Sequence, residues 1–332
     1  MPTSPRTLIS IVSPCFNEEQ VIGLFYAALC KVLDKLPDYD FELIFIDDGS
    51  VDRTLDELNG LAARDRRVRV ASFSRNFGHQ IALTAGMDCA AGDAVITMDS
   101  DLQHPPALLP ELLRRWREGN DIVSTVRQDT DGVSIFKKLS SRAFYLLLNA
   151  LSGVQIPEGA ADFCLVSRRV ALALRSMRER HRFLRALVSW SGFPRALVPY
   201  VAAPRAAGET KYTLFKMVGL ALDAILSFST APIRLATRLG FVITGLGFAY
   251  LAWNLILAFR TGRFAPGWAS LISITMMMSG AQLIFIGLIG QYLARVFEEV
   301  KGRPMYLFKQ EPPLAEARLN PLPATAAASR SS

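Results

Sequence analysis

Two stretches near the C-terminal end contain no charged residue, 21 residues over 239–259 and 31 over 264–294. At 1.5 Å per residue the first makes a helix of about 30 Å, the thickness of a bilayer's hydrocarbon core, and about 20–25 residues of the second suffice for another crossing. Helices apolar on every side at such lengths suit lipid; the alternative is a single buried helical hairpin, but such helices rarely belong to a soluble core. The sequence therefore predicts two membrane spans. Arg234 and Arg238 precede the first and Arg295, Lys301 and Arg303 follow the second, against Arg260 and Arg263 between them. Positive charge collects on the cytoplasmic side, so both termini are expected there, at the inner membrane. Trp268 and Tyr292 stand where interfacial anchors sit. Gly240, Gly245, Gly247, Gly280, Gly287 and Gly290 allow close helix approach, which leaves a homo-oligomer open.

Everything before residue 239 remains to build a globular unit. With 51% hydrophobic and 20% charged residues the chain is neither disordered nor a small disulfide scaffold. Cys15, Cys30, Cys89 and Cys164 lie far apart without metal-ligand spacing and are expected as small core residues. The apolar run 8–13 is too short for a signal peptide, which keeps this unit on the cytoplasmic side. Short runs rich in Ile, Val and Phe (LISIVS, FELIFID, VRVASF, AVITMD, DIVSTV) alternate with stretches of helical period over 21–36, 54–64, 80–91 and 106–118. Strands separated by helices need crossover connections, which predicts an α/β fold with a mainly parallel sheet covered by helices on both faces.

Ligands of such sheets bind at the carboxyl edge of the strands. The residues there are polar: Pro14 to Glu19 after the first run, Asp47, Asp48, Gly49 and Ser50 after the second, Arg75 and Asn76 after the third, and Asp99 to Gln103 after the fourth. No P-loop and no G-x-G-x-x-G is present, so phosphates must be held otherwise. Asp99 and Asp101 lie two apart at a strand exit, where extended backbone puts both on one face. With Gln103 they form an oxygen-only set suited to Mg²⁺ or Mn²⁺, leaving positions for water and substrate phosphates. The bland alternative is a solvated turn ahead of a helix starting at Pro105 or Pro106. IDDGS likewise serves as a tight turn with an N-cap for the helix at Thr54, or turns one carboxylate toward a base or ribose. His79 and His104 are expected as hydrogen-bonded bystanders of the crevice.

In series, PCFNEE, FIDDGSVDRT, SRNFGHQIALTAGMDCAAGD, MDSDLQHPP, ADF and RAAGETKY resemble the family 2, GT-A fold glycosyltransferases that charge polyprenyl phosphates with a sugar. Dolichol-phosphate mannose synthase and the bacterial undecaprenyl-phosphate glucosyl and aminoarabinosyl transferases are members. The resemblance implies a Rossmann-like GT-A domain with Pro14, Asn17 and Glu18 at the nucleoside and Asp47 facing base or ribose, and Asp48 and Arg75 join these donor-side candidates. It implies Asp99 and Asp101 as the D-x-D pair, with Gln103 a further metal-side ligand. Arg205 and Lys211 match the basic pair that closes over the donor diphosphate, and Asp162 matches an acidic residue near the acceptor. Cys164 departs from the pattern, since many bacterial relatives have Arg there in a DFRL segment.

The chemistry suits that inventory. A departing nucleotide diphosphate gains negative charge, which a divalent cation and cationic side chains stabilise. An acceptor phosphate monoester, with a second pKa of about 6, is already ionised, so no strong general base is needed, and in-line displacement inverts the anomeric carbon. The region 168–238 carries thirteen Lys and Arg against three acids. Heavy apolar interleaving and the lack of any nucleic-acid signature make it a juxtamembrane surface for anionic lipid and a lipid-linked phosphate, not a nucleic-acid interface. Expected boundaries are a catalytic domain over 1–205, an amphipathic juxtamembrane segment over 206–238, two spans over 239–295 and a largely mobile tail over 296–332. A processive polysaccharide synthase would carry Q-x-x-R-W, but Leu112 occupies the Gln position before Arg115 and Trp116. A non-catalytic accessory protein would have no use for intact Asp99, Asp101, Arg205 and Lys211.

Overall fold

The structure of the chain, a computed structural model, describes residues 6–128, 155–180, 182–201, 231–261 and 267–312. Each apolar run forms a strand: β1 (Thr7–Cys15), β2 (Tyr39–Asp47), β3 (Val68–Phe73), β4 (Ala94–Thr97) and β5 (Ile122–Gln128). Between them come α1 (Ile22–Leu33), α2 (Thr54–Arg64), α3 (His79–Cys89) and α4 (Leu109–Arg117). A 3-10 turn at Pro106–Leu108 leads into α4. Pro106 and Pro110 suit these starts, because proline lacks only an N–H that a first turn leaves unpaired. Next follow β6 (Ala160–Ser167), α5 (Arg168–Ser176), α6 (Leu184–Trp190), β7 (Arg195–Val201), α7 (Ala231–Thr261), α8 (Trp268–Val300) and β8 (Phe308–Gln310).

In space the strands run β7-β5-β6-β4-β1-β2-β3-β8. The central four, β4-β1-β2-β3, are parallel, with β1 and β2 in register from Thr7 opposite Tyr39 to Cys15 opposite Asp47. β6 lies antiparallel between β4 and β5, and β8 antiparallel along β3. β5 and β7 pair parallel, so six of the eight strands run the same way and the sheet is mainly parallel as expected, made mixed by β6 and β8. Apolar periodicity does not announce the added strands: β6 places Asp162 and Cys164 in its middle, β7 contains Pro199, and three residues of β8 are too few to show a period.

Because side chains alternate across a strand, β1 and β2 present apolar residues to both faces. Ile9, Ile11, Leu43 and Phe45 lie under α1, α2 and α4 through Phe25, Leu58 and Leu112. Val12, Ile44 and Ile46 lie under α3, α5 and α6 through Leu83, Val170 and Leu187. Phe25 and Phe45 meet edge to face at 6.3 Å, and each contributes about 1.5–3 kcal/mol by burial. α3 rides close on β1: a Cβ at Gly86 would sit 2.1 Å from Val12 Cγ1.

α7 and α8 contain 31 and 33 residues, and apolar side chains such as Phe241, Phe248 and Met277 stand exposed on them. Among the described residues one helix is long and apolar enough to cross a membrane by length and composition, over Ile274–Val300. The other expected span, 239–259, lies within α7.

Of the tail expected over 296–332, residues 296–312 are described. Residues 296–300 continue α8, Gly302 turns the chain with φ +58°, and β8 pairs with β3. Tyr306 and Phe308 bury against Phe73, a contact that offsets the entropy of ordering the segment. Most of the juxtamembrane segment and residues 313–332 fall outside the described residues.

Gly86→Ala is expected to destabilise the protein by about 1–3 kcal/mol through overpacking against Val12. The thermal unfolding midpoint of the full-length protein in detergent checks this; an unchanged midpoint would show that α3 has room to move.

Candidate active site

The four parallel strands end on one edge, and the loops leaving them are held by backbone-directed side chains. Asn17, at φ +55°, accepts the Val51 N–H with Oδ1 (3.0 Å), while its own N–H donates to Ser50 Oγ (3.0 Å). The Glu18 N–H donates to Thr54 Oγ1 at 2.7 Å. Asparagine tolerates the left-handed region better than most residues, which suits it to this turn. These bonds lock the loop after β1 to the loop after β2.

The two IDDGS carboxylates are both buried and both engaged. Asp47 accepts from the Ser50 N–H (3.1 Å) and from Ser72 Oγ (2.7 Å), and it does not line the crevice. Asp48 accepts from the N–H groups of Phe77 (2.7 Å) and Gly78 (3.0 Å) at the start of α3, and does line it. Burial pushes its pKa up against the pull of these bonds. Gly49, at φ +70°, has no room for a side chain, since a Cβ would lie 2.5 Å from the Arg75 carbonyl carbon. The Arg75 guanidinium turns to the Asn76 carbonyl (3.0 Å) and the Phe77 ring (4.1 Å), so Asn76, not Arg75, faces the crevice.

That crevice, of about 270 Å³, is lined by Pro14, Phe16, Glu18, Asp48, Asp99 and Asp101 among others. The strand stops at Thr97, so Asp99 and Asp101 share the crevice through a turn instead of extended backbone. Asp101 Oδ1 accepts the Gln103 N–H (3.0 Å), and Leu102 takes φ +64°. Ser100 Oγ donates to the Pro14 carbonyl (3.0 Å), fixing the turn to β1. Gln103's side chain points elsewhere, its Oε1 accepting from Arg127 Nη1 at 3.4 Å.

Both histidines flank the pair. The Asp99 N–H donates to His104 Nδ1 (2.9 Å), and the His104 ring stacks on Phe163 at 5.1 Å. Burial lowers the His104 pKa despite the surrounding acids. Asp99 Oδ1 is buried without a hydrogen-bond partner and lies 3.5 Å from His79 Nε2. Burial raises the Asp99 pKa, with His104 and His79 pulling it back. Burial works against a charged His79 as well, but Asp162 and Asp99 prevail and raise it.

β6, antiparallel to β4, brings Asp162 to 3.6 Å from His79 Nε2, the same nitrogen that faces Asp99. Arg185 of α6 grips it with Nε to Oδ1 and Nη2 to Oδ2, both 2.8 Å, and Gln80 Nε2 adds a third bond at 3.0 Å. Burial opposes ionisation, yet Arg185 and His79 hold this carboxyl well below the usual range. Asp162, His79 and Asp99 thus form a continuous row leading into the crevice. Cys164, two residues on in β6, is a half-buried thiol whose pKa desolvation pushes up to about 11, and all four cysteines are free of disulfides. Phe16, Gln80 and Arg185 were not legible as site residues; Arg185 lies 23 positions from its partner, on another element. Arg205 and Lys211 lie outside the described residues.

Among the described residues no group of three or more His, Cys, Asp or Glu is placed to hold a metal ion. The two carboxylates nevertheless fit a hard divalent cation that completes its shell with water and substrate phosphates: the donors are oxygen, they share one crevice, and Asp99 Oδ1 is unsatisfied.

Removing Arg185 leaves Asp162 buried at 9% exposure with its main partner gone, a change worth about 3–5 kcal/mol. Arg185→Ala is expected to lower the unfolding midpoint more than Arg185→Ala combined with Asp162→Ala. A double variant whose loss equals the sum of the Arg185→Ala and Asp162→Ala losses would show that the pair carries no coupling.

The model of Glycosyl transferase family 2 matches residues 10–174. A Bacillus subtilis (strain 168) protein named Uncharacterized glycosyltransferase YkcC is 42% identical over 93% of this chain and 96% of its own length. The Escherichia coli (strain K12) protein named Prophage bactoprenol glucosyl transferase homolog is 40% identical over 91% of this chain and 98% of its own. Among solved structures, glucosyl-3-phosphoglycerate synthase from Mycobacterium tuberculosis, in complex with Mn²⁺, UDP-glucose and phosphoglyceric acid, aligns with a TM-score of 0.44 and 23% identity over 66% of this chain and 78% of that one, a likeness too loose to carry residue roles. Full-length identity of this order with named glycosyltransferases, together with the matched domain over the crevice-bearing strands, makes the chain a member of glycosyltransferase family 2.

Proposed function

We propose that the chain transfers a single sugar, with inversion, from a nucleotide-diphosphate sugar, UDP-linked by preference, to undecaprenyl or another polyprenyl phosphate at the cytoplasmic face of the membrane. The observation that carries this is the pairing of Asp99 and Asp101 in one crevice, with an unsatisfied carboxylate oxygen, in a chain that also bears a long apolar helix. The full-length relative named for bactoprenol glucosyl transfer supports the same acceptor class.

On this reading Pro14, Glu18 and Asp48 shape the nucleoside end, Asn17 holds the loop that carries them through its bond from the Val51 N–H, and exposed Phe16 offers an aromatic face to the base. Asp99 and Asp101 would hold Mg²⁺ or Mn²⁺, and Gln103 would join them by turning from Arg127. Such an ion, when bound, neutralises charge that develops on the departing diphosphate. Arg205 and Lys211 add positive charge over the same group, and Asp162, held by Arg185, borders the acceptor side. The acceptor phosphate arrives ionised and needs no strong base. Spans over 239–259 and 264–294 with both termini cytoplasmic would set the crevice beside the lipid that supplies the acceptor. The 1–205 domain and the 206–238 segment then form the catalytic unit and its membrane-facing base.

Purified protein in proteoliposomes with undecaprenyl phosphate and a panel of labelled nucleotide sugars tests this. An organic-soluble labelled lipid of inverted anomeric configuration is expected, lost in excess chelator and reduced at least about 10²-fold in Asp101→Ala. Full activity in chelator would contradict the metal assignment, and transfer to a soluble alcohol or growing polymer instead of polyprenyl phosphate would contradict the acceptor. Lys211→Ala is expected to lower kcat by about 10²-fold without moving the unfolding midpoint; unchanged kcat would remove it from the site.

A further inference from the structure

Beyond the last membrane-length helix the chain does not trail away but returns to the catalytic sheet. Gly302 turns it, and Arg180 secures the turn: its N–H donates to Glu299 Oε1 (2.7 Å) and its Nη2 to the Arg303 carbonyl (2.6 Å). β8 then lies along β3 with Phe308 opposite Phe73, and the Leu307 carbonyl accepts the Ser74 N–H at 2.9 Å. Phe73 is the last residue of β3. Its ring is stacked by Tyr306 at 5.3 Å and flanked by Phe308 at 5.6 Å, and Phe77 meets it edge-on at 5.4 Å.

Those contacts reach the crevice within a few residues. Phe77 and Gly78 donate their N–H groups to Asp48, and Asn76, Gly78 and His79 line the crevice wall. The strap also grips the far end of α3, where the Tyr306 hydroxyl donates to Asp88 Oδ2 (2.8 Å), an oxygen shared with Arg178 Nη1 (2.6 Å). Both the strand entering the 74–78 loop and the helix leaving it are therefore held by residues 302–310.

We propose that this C-terminal strap, through Tyr306 and Phe308, positions the 74–79 wall of the donor crevice, making them positioning residues for nucleotide-sugar binding and tying that wall to the end of the membrane helix. The donor role rests on the function proposed above; the mechanical coupling does not. An aromatic cluster bridging strap, strand end and loop restricts the loop's excursions, and a wall ordered before binding need not be ordered by the ligand.

The test uses full-length protein in detergent, with two readouts. Amide hydrogen exchange of the unliganded protein reports the coupling, and steady-state kinetics with UDP-glucose, Mn²⁺ and undecaprenyl phosphate report the donor role. Phe308→Ala is expected to speed exchange at residues 74–79 and to raise the UDP-glucose KM by about tenfold while the KM for undecaprenyl phosphate stays within about twofold. Phe308→Tyr, which keeps the ring, restores both values. Tyr306→Phe, which removes only the bond to Asp88, moves them in the same direction by a smaller amount and serves if Phe308→Ala does not fold. Unchanged exchange at 74–79 overturns the coupling. Faster exchange with an unchanged donor KM, or equal rises in both KM values, overturns the donor role. A wild-type protein that transfers nothing from any nucleotide sugar defeats the proposed function, while the exchange measurement still decides the coupling.

Discussion

Crowding carboxylates at one edge of a sheet is the constraint on which the site depends. Asp47, Asp48, Asp99 and Asp101 lie within a few residues of the ends of two parallel strands, and each buried carboxylate must find donors or raise its pKa. Asp47 and Asp48 are satisfied by the fold itself: Ser50, Ser72, Phe77 and Gly78 supply the donors. They act as clamps between loops. Asp99 is the exception, because its Oδ1 has no hydrogen bond and its nearest cationic group is His79. The edge thus satisfies two of its acids with donors of the fold and leaves an oxygen of a third open, the feature on which the proposed cation site rests.

Much of this edge was legible beforehand, since strand exits in an α/β fold are marked by where apolar runs stop. The runs and helices of residues 7–128 follow the expected order, and Asp48, Asp99 and Asp101 meet in one crevice as the motifs imply. Asp47 and Arg75 differ. Spacing places them at strand ends, but side-chain direction is set by contacts that spacing does not contain: Ser72 draws Asp47 inward, and the Phe77 ring draws Arg75 away. Gln103 is turned by Arg127 for the same kind of reason. The histidines, expected as bystanders, bracket Asp99 because β6 inserts antiparallel beside β4 and carries Asp162 up to His79. That strand has a charged residue in its middle, so its hydropathy conceals it.

The C-terminal part shows a related effect. Although 302–310 is too short to show a hydropathy period, a few aromatic residues suffice to bring it onto β3, since Phe73 offers them an apolar strand edge. A chain whose last long helix is apolar enough for a bilayer is thereby fastened to the strand that opens into the crevice. The crevice wall and the long apolar helix are neighbours in the fold although more than 200 residues separate Phe73 from Phe308 in the sequence.

Metal held jointly by protein and nucleotide is the central claim, and electron paramagnetic resonance of Mn²⁺ titrated into the full-length protein tests it most directly. The account predicts weak Mn²⁺ binding alone, a marked tightening when UDP is added, and loss of the bound signal in Asp99→Asn combined with Asp101→Asn. UDP that binds the wild-type protein equally well in excess chelator, with no protein-bound Mn²⁺ at any ratio, would contradict it.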